Sequence, residues 1–397
     1  MPYLSNFAID HETLTFDIRN LSHSFLNALR RLIISNIETI AFRTEYGKES
    51  DITIHKNTSS LHNEFVAHRI SLLPVHYDSK KIADFDSSKL EFFIDVTNTS
   101  TKSLDITTDH IQIRDLTKEP SVLLSKDACR KFFPPNRITG DYIIINRLKP
   151  NRTGNPDDGE QLYITMKANK SIGKEHARYT PTCVSIFTNM RDENKIKEEL
   201  ANRLKQKDIE LNAQNNKSLT EEDKVNFIKS FMVSEADRYF HTDAEDEPNA
   251  FNFTIESDGR IQSHNIFDKA LHVLEEHIDT FMKKINDESQ LEIEKSDTVL
   301  LAYDFIFEDE DYTMCYLYQN YIYQFFQNIE DPKVKFVGCN VPHPLENKMV
   351  IRIGLIDTSL NPDYIKSLFN ETSKEIKKII GLLKNEMKAN KSFVLDR

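Results

Sequence analysis

The chain has 397 residues, of which 39% are apolar, and a formal net charge of −12. That length suits two or three domains at roughly 150 residues each, while no apolar run approaches the ~20 residues that span a bilayer. The acidic balance argues against a surface built mainly to grip phosphate, which needs clustered Lys and Arg to release counterions.

The first ten residues lack the basic and apolar regions of a secretory signal, so an intracellular protein with no membrane partner is expected. Cys129, Cys183, Cys315 and Cys339 show no C-x-x-C spacing. They are expected as plain thiols, with neither a zinc knuckle nor a disulfide framework.

In chain order, residues 13–18 alternate as a short strand, and a helix is expected over 20–40 with Asn20 or Ser22 as its cap. At roughly 100° per residue, Leu21, Phe25, Leu26, Ala28, Leu29, Leu32, Ile33, Ile37 and Ile40 fall in one wide arc, opposite His23, Asn27, Arg30, Arg31 and Glu38. A stripe of about 100° covers one sheet face, so this helix is expected to meet a second helix as well. Residues 40–46 read extended. Residues 52–54 then read as a strand, followed by a short helix with Phe65, Ile70 and Leu72 buried and a stop at Pro74.

From about 84 to 172 the texture is short β-branched runs, with strands expected at 90–96, 111–113, 142–147 and 161–167. An extended pair, 181–188 and 251–257, brackets a charged helical segment over 192–239 that breaks near Asn215-Asn216. Its sparse apolar positions predict a solvated helical hairpin or a mobile insertion. A second amphipathic helix follows over 264–285, with Ile266, Ala270, Val273, Leu274, Ile278, Phe281 and Ile285 on one face.

After a polar linker over 287–296 the pattern restarts. It gives a strand over 300–308, then a helix over 313–329 with Met314, Leu317, Tyr318, Tyr321, Ile322, Phe325 and Ile329 inward. A hairpin from 334–341 and 349–356 follows. The last helix is capped by Asn361 with Pro362 at its first position, and Ile365, Leu368, Ile376, Ile379, Leu383 and Met387 recur along it. Strand, long helix, two strands and terminal helix therefore occur twice. Two such copies packed through their long helices bury the surplus apolar arc, and their tether raises the effective concentration of one for the other.

Other constellations read as structural. His62 and His68 lie about 240° apart on a helix and cannot share a metal. The acidic run Glu308-Asp309-Glu310-Asp311 reads as a solvated turn that caps the helix after it. One-sided aromatic spacing over 313–329 indicates a helix-helix core rather than a base-stacking platform. Pro342-His343-Pro344 fixes a turn.

Several motifs carry a resemblance. His23-Ser24-Phe25-Leu26-Asn27-Ala28-Leu29-Arg30-Arg31 resembles the N-S-x-x-N-A-L-R-R signature of the α-type assembly subunits of multisubunit RNA polymerase. Asn57-Thr58-Ser59, Leu61 and the run from Glu64 to Pro74 are similar to that subunit's N-T-S-x-L-x-x-E-x-x-A-H-R-x-x-L-x-P segment. Gly173-Lys174-Glu175-His176-Ala177-Arg178-Tyr179 is similar to its G-K-E-H-A-K-W segment. Phe336 to Leu345 with Val350-Ile351-Arg352-Ile353 resembles the smaller partner of that pair, the eleventh-subunit or archaeal L type. Where that partner's helix opens H-T-L-G-N, this chain has Tyr312-Thr313-Met314-Cys315-Tyr316. No cysteine lies in 75–86, where the eukaryotic larger partner has a zinc loop, so no zinc is expected.

The resemblance implies an α+β fold in which two α-subunit-like dimerisation domains pack as an intramolecular pseudo-heterodimer. It implies a larger copy over 1–46 and 173–286 with a charged insertion at about 192–240, a mainly β inserted domain over 47–172, a linker over 287–297, and a smaller copy over 298–397. A pairing interface of Phe25, Leu29, Leu32, Leu317, Tyr321 and Phe325 is expected. Asn27, Arg30, Arg31, Glu64, His68, Arg69, Lys174, His176 and His343 are expected to face partner subunits. Those partners are implied to be the largest and second-largest polymerase subunits and small subunits of the tenth-subunit type. No catalytic residue, cofactor or metal, and no direct sequence-specific nucleic-acid binding, is expected in this chain. Fusion of the two partners resembles the arrangement in large DNA viruses, which would place the protein in host cytoplasm and virion. The competing readings are a stand-alone metal-dependent nucleotide-processing enzyme using the acidic clusters, and a scaffold unrelated to transcription.

Overall fold

The computed structural model describes residues 3–45, 50–215, 220–287, 291–296, 298–343, 345, 348–357 and 361–390. β1 (Leu4–Asp10), a strand not expected from the sequence pattern, pairs antiparallel with β2 (Thr13–Arg19), whose Leu14, Phe16 and Ile18 are fully buried. α1 (His23–Ser35) follows. Asn20 takes a left-handed backbone, and the Ser22 Oγ caps the helix by accepting the Phe25 N–H at 3.3 Å. The helix is shorter than expected. Ile37 and Ile40 are buried, but Ile40 lies in β3 (Glu38–Ala41) and Ile37 in the turn before it, because the sequence from Ile33 onward turns β-branched.

β4 (Ile52–Asn57) and α2 (Asn63–Ser71) come next. On α2 the buried face is Val66 and Ile70, continued by Leu73. Phe65 and Leu72 are 65% and 51% exposed, contrary to expectation, because each sits one position off that stripe. Then follow β5 (Leu90–Thr97), β6 (Leu104–Thr107), β7 (Gln112–Asp115), β8 (Val122–Leu123), α3 (Lys126–Phe132), β9 (Ile144–Leu148), β10 (Gln161–Met166) and β11 (Asn169–Ile172). They form a five-stranded sheet of order β4-β10-β5-β7-β8 and two-stranded sheets β6-β9 and β11-β3 around one apolar core.

β12 (Thr182–Asn189) and β13 (Ala250–Ser257) flank α4 (Glu193–Asn215) and α5 (Glu221–Ser234). These two helices form a hairpin with a small core of Ile196, Phe231 and Ala236. Its neck is closed by an antiparallel bridge between Arg191 and Phe240. The expected break at Asn216 lies outside the described residues.

α6 (Ser263–Asn286) buries Ile266, Ala270, Leu274, Ile278, Phe281 and Ile285, with Phe267 and Leu271 in addition, while Val273 is only half-buried. The expected linker contains β14 (Leu291–Lys295), which pairs antiparallel with β15 (Ala302–Glu308). Leu291 and Ile293 alternate there with three charged residues, a strand pattern hidden by its polarity. α7 (Tyr312–Ile322) ends earlier than expected in a π-turn over Tyr323–Gln327, closed by the Asn328 N–H on the Tyr323 carbonyl. That extra residue per turn shifts the helical phase, leaving Phe325 half-buried and Ile329 45% exposed. β16 (Val334–Asn340), β17 (Lys348–Leu355) and α8 (Pro362–Ala389) complete the chain, with the Asn361 side chain accepting the Tyr364 N–H. Ile380, not Ile379, lies on the buried face of α8.

One four-stranded sheet runs β1-β2-β13-β12 and the other β14-β15-β17-β16. The order is the same, so the doubled pattern of the sequence is a doubled topology. The chain forms two compact units, one of Met1–Leu32, Val184–Ile255 and Ala270–Arg397, the other of Ile33–Cys183 and Glu256–Lys269. Both four-stranded sheets thus belong mainly to the first unit. The second extends beyond the expected 47–172 because β11 pairs with β3, and because two buried arginines stitch the return of the chain. Arg178 donates to the Phe42 and Thr44 carbonyls and Arg260 to the Arg178 carbonyl, each at 3.0 Å. Gly173 is required in that return, since a Cβ would collide with the Ile34 carbonyl.

Candidate functional site, the pairing of the two copies

Within the first unit the long helices of the two copies meet. Phe25 of α1 packs edge-on against Tyr321 of α7 with ring centroids 6.4 Å apart, and Tyr321 lies 5.5 Å from Phe325. Phe25, Leu29 and Leu317 are wholly buried and Leu32 and Tyr321 nearly so. Burial holds the Tyr321 pKa above the ordinary tyrosine value, opposed by the neighbouring Ser22 side chain.

α6 of the first copy continues the contact. Its Phe281 stands 4.5 Å from Tyr318, 4.6 Å from Phe307 and 6.2 Å from Phe369, reaching α7, β15 and α8 of the second copy. Tyr318 in turn shares a 2.7 Å hydrogen bond with Ser373. Periodicity predicts pairing through α1 and α7 alone. The near-heptad apolar stripe of α6 was the signal that it also joins.

Charged residues ring this apolar contact. Lys284 of α6 donates to the Glu310 carboxylate at 2.8 Å, with both side chains less than a fifth exposed. Arg31 pairs with Asp311 at 3.2 Å, about half-exposed on both sides. The Glu386 carboxylate of α8 accepts the Tyr3 and Leu4 N–H groups at 3.1 and 2.8 Å. So the acidic run expected as a solvated turn is instead partly spent on ion pairs between the copies. Asp311 also caps α7 by accepting the Thr313 N–H at 2.7 Å, as expected of that turn. Among the described residues no group of three or more His, Cys, Asp and Glu is arranged to hold a metal. Cys315 on α7 and Cys339 on β16 are joined as a disulfide, contrary to the plain thiols expected. Adjacent packing of helix and strand brings their Cα atoms to 5.9 Å, a separation that cysteines 24 residues apart do not reveal in sequence.

The residues expected to face partners are distributed over both units. In the first, Arg30 turns back on its own helix, donating through Nε and Nη2 to Asn27 Oδ1 at 3.0 and 2.9 Å. Arg31 is engaged with Asp311, and His343 is exposed, with Nδ1 accepting the Leu345 N–H at 3.2 Å. In the second unit, Glu64, His68 and Arg69 are exposed on α2, and Arg69 donates to the Ile144 carbonyl at 2.7 Å. Lys174 is exposed. His176 is half-buried, accepts the Arg178 N–H at 3.1 Å, and has its pKa lowered by burial and by the Arg178 charge.

Comparison with known proteins matches this arrangement twice. The family described as RNA polymerase Rpb3/Rpb11 dimerisation domain matches residues 15–278, and a second form of the same domain matches 302–386. A conjugation stage-specific protein of Tetrahymena thermophila is 30% identical over 188 residues, 44% of this chain, which spans about half of that protein's length, 54%. DNA-directed RNA polymerase subunit Rpo3 of Pyrococcus horikoshii is 25% identical over 281 residues, 69% of this chain and 94% of that subunit. Subunit 3B of DNA-directed RNA polymerases IV and V of Arabidopsis thaliana is 23% identical over 312 residues, 66% and 85% respectively.

Proposed function

This chain belongs to the RNA polymerase Rpb3/Rpb11 dimerisation-domain family, and from that premise we propose that it is the assembly platform of a DNA-directed RNA polymerase, nucleating association of the two largest catalytic subunits. The observation that carries the reading is the pair of sheets with one strand order, joined through α1 and α7 in a single chain. Two partners on one polypeptide avoid the association entropy that separate chains lose on pairing. The composite surface exists as soon as the chain folds. Phosphoryl transfer and its metal ions belong to the large subunits in this account, and the acidic surface serves them rather than the template. Small subunits of the tenth-subunit type, an intracellular site of assembly and, for a viral source, host cytoplasm and virion complete the proposal.

Within it, Arg30 and Asn27 present a side-chain pair on the partly exposed face of α1, and Glu64, His68 and Arg69 do the same on α2. Arg31 has a role inside the chain through Asp311, so Arg30 is the better probe of a partner. Capture of the second-largest subunit on the tagged chain is expected to fall at least tenfold with Arg30→Glu, at unchanged circular dichroism. Unchanged capture contradicts the placing of that subunit on α1. The stand-alone enzyme reading finds no support in the acidic run, where Glu310 and Asp311 are held by Lys284 and Arg31.

A further inference from the structure

The Cys315–Cys339 disulfide joins the first turn of α7 to β16, both within the smaller copy. Its two ends are unequally placed. Cys315 is wholly buried, whereas Cys339 is partly exposed on β16, the edge strand of its sheet. A thiol that opens a disulfide must reach one of its sulfurs, so exchange begins at Cys339 and Cys315 is the leaving group. Once released, Cys315 is a neutral thiol in a buried site, where cysteine packs as a small apolar side chain.

Apolar burial holds α7 without the bond, since Leu317, Tyr318 and Ile322 are wholly buried and Tyr321 nearly so. The stretch from the π-turn to β16 has weaker support. β16 pairs on one side only, with β17, and its register shifts between Val334 and Phe336. The π-turn is tied by exposed polar contacts, the Tyr323 hydroxyl donating to Glu245 at 3.4 Å and Gln327 Nε2 to the Lys335 carbonyl at 3.2 Å. Each such contact adds little, because water competes for both partners. The Asn320 and Gln327 amide oxygens, one before the turn and one within it, are buried with no hydrogen-bond partner among the described residues. That is a cost the segment carries only while it is kept in place. The disulfide closes a ring around this segment, its cysteines 24 residues apart, and so denies it the conformations it would gain on opening.

We propose that this disulfide is a redox-operated latch on β16 and the π-turn, opened by a dithiol. A thiolate of the dithiol attacks Cys339 Sγ, the bond between the two cysteines breaks, and Cys315 leaves as a thiolate that takes up a proton. The second thiol of the same molecule then closes onto the first as a disulfide and releases Cys339 as a thiol. The protein gains two electrons and two protons, and the dithiol loses them. The reduced chain keeps its fold and the pairing of α1 with α7, while residues 323–340 loosen. The latch does not rest on the assembly function proposed above.

Peptide mapping of the full chain without reductant is expected to recover the Cys315 and Cys339 peptides linked, with Cys129 and Cys183 as thiols. Millimolar dithiothreitol, with no denaturant, is expected to open the bond. Hydrogen–deuterium exchange over 323–340 is then expected to rise about tenfold, with exchange over 13–19 and 250–257 unchanged. Cys339→Ser is expected to exchange at the faster rate with or without the dithiol. If that variant does not fold, the two redox states of the unsubstituted chain decide by themselves. Unlinked peptides, a bond that opens only in denaturant, or equal exchange over 323–340 in both states overturns the latch. Faster exchange throughout 13–19 and 250–257 on reduction overturns it as well, since the bond would then hold the whole fold.

Discussion

Phe25 and Phe65 show how far burial decides the weight of a residue. Both are phenylalanines on helices, but Phe25 is wholly buried against Tyr321 and Phe65 is 65% exposed. Phe25→Ala is expected to destabilise the chain by about 3–5 kcal/mol in urea unfolding, and Phe65→Ala by less than about 0.5 kcal/mol. Equal losses would contradict the packing described. Arg31 and Asp311 are about half-exposed, so a double-mutant cycle is expected to give a coupling of roughly 0.2–1 kcal/mol that fades with added salt. His76 makes the pH prediction. Burial lowers its pKa first, opposed by Asp258 and reinforced by Arg260 and Arg137. The unfolded state therefore binds its proton at higher pH than the folded one. The stability tied to neutral His76 is full above about pH 6.5 and is lost as pH falls through the lowered folded value. His76→Gln is expected to flatten that acid slope in thermal melts, and an unchanged slope would assign it elsewhere. At this scale the burial of Phe25, Leu29, Leu32, Leu317 and Tyr321 follows from their spacing, which reports which face a side chain occupies. The ion pairs were not. Lys284 with Glu310 and Arg31 with Asp311 join positions far apart in sequence, and nothing local marks a charge as paired.

Elements were read well where their periodicity is long and their ends are marked. α8 carries Asn361 and Pro362 at its start, and α4 and α5 stand between β12 and β13 as expected. Structure departs from the sequence pattern where a local feature interrupts the period. α1 gives way to a strand at a β-branched run, and α7 passes into a π-turn that carries no sequence mark. β14 was hidden because charged residues fill its exposed positions. The hairpin of α4 and α5 has its own core and a closed neck, where the Asp192 N–H reaches the Tyr239 carbonyl at 2.9 Å. Replacing residues 193–238 with a short Gly-Ser turn is thus expected to leave the thermal unfolding of the rest of the chain cooperative, with midpoints shifted only slightly. A chain that no longer folds would show that the hairpin supports the sheet beneath it.

For the molecule as a whole, a doubled topology in one polypeptide makes pairing independent of concentration. The repeat was legible because both copies keep the same order of strand, helix, strands and helix, and the chemistry at their junction follows from a helix whose apolar arc is too wide for one sheet. The most direct test is reconstitution of the intact chain with the two largest subunits of the polymerase from the same source. The account predicts a stable complex containing one copy of each, in which the large subunits do not associate when this chain is left out. Large subunits that assemble equally well without it, or native purification of the chain free of any polymerase subunit, would contradict it.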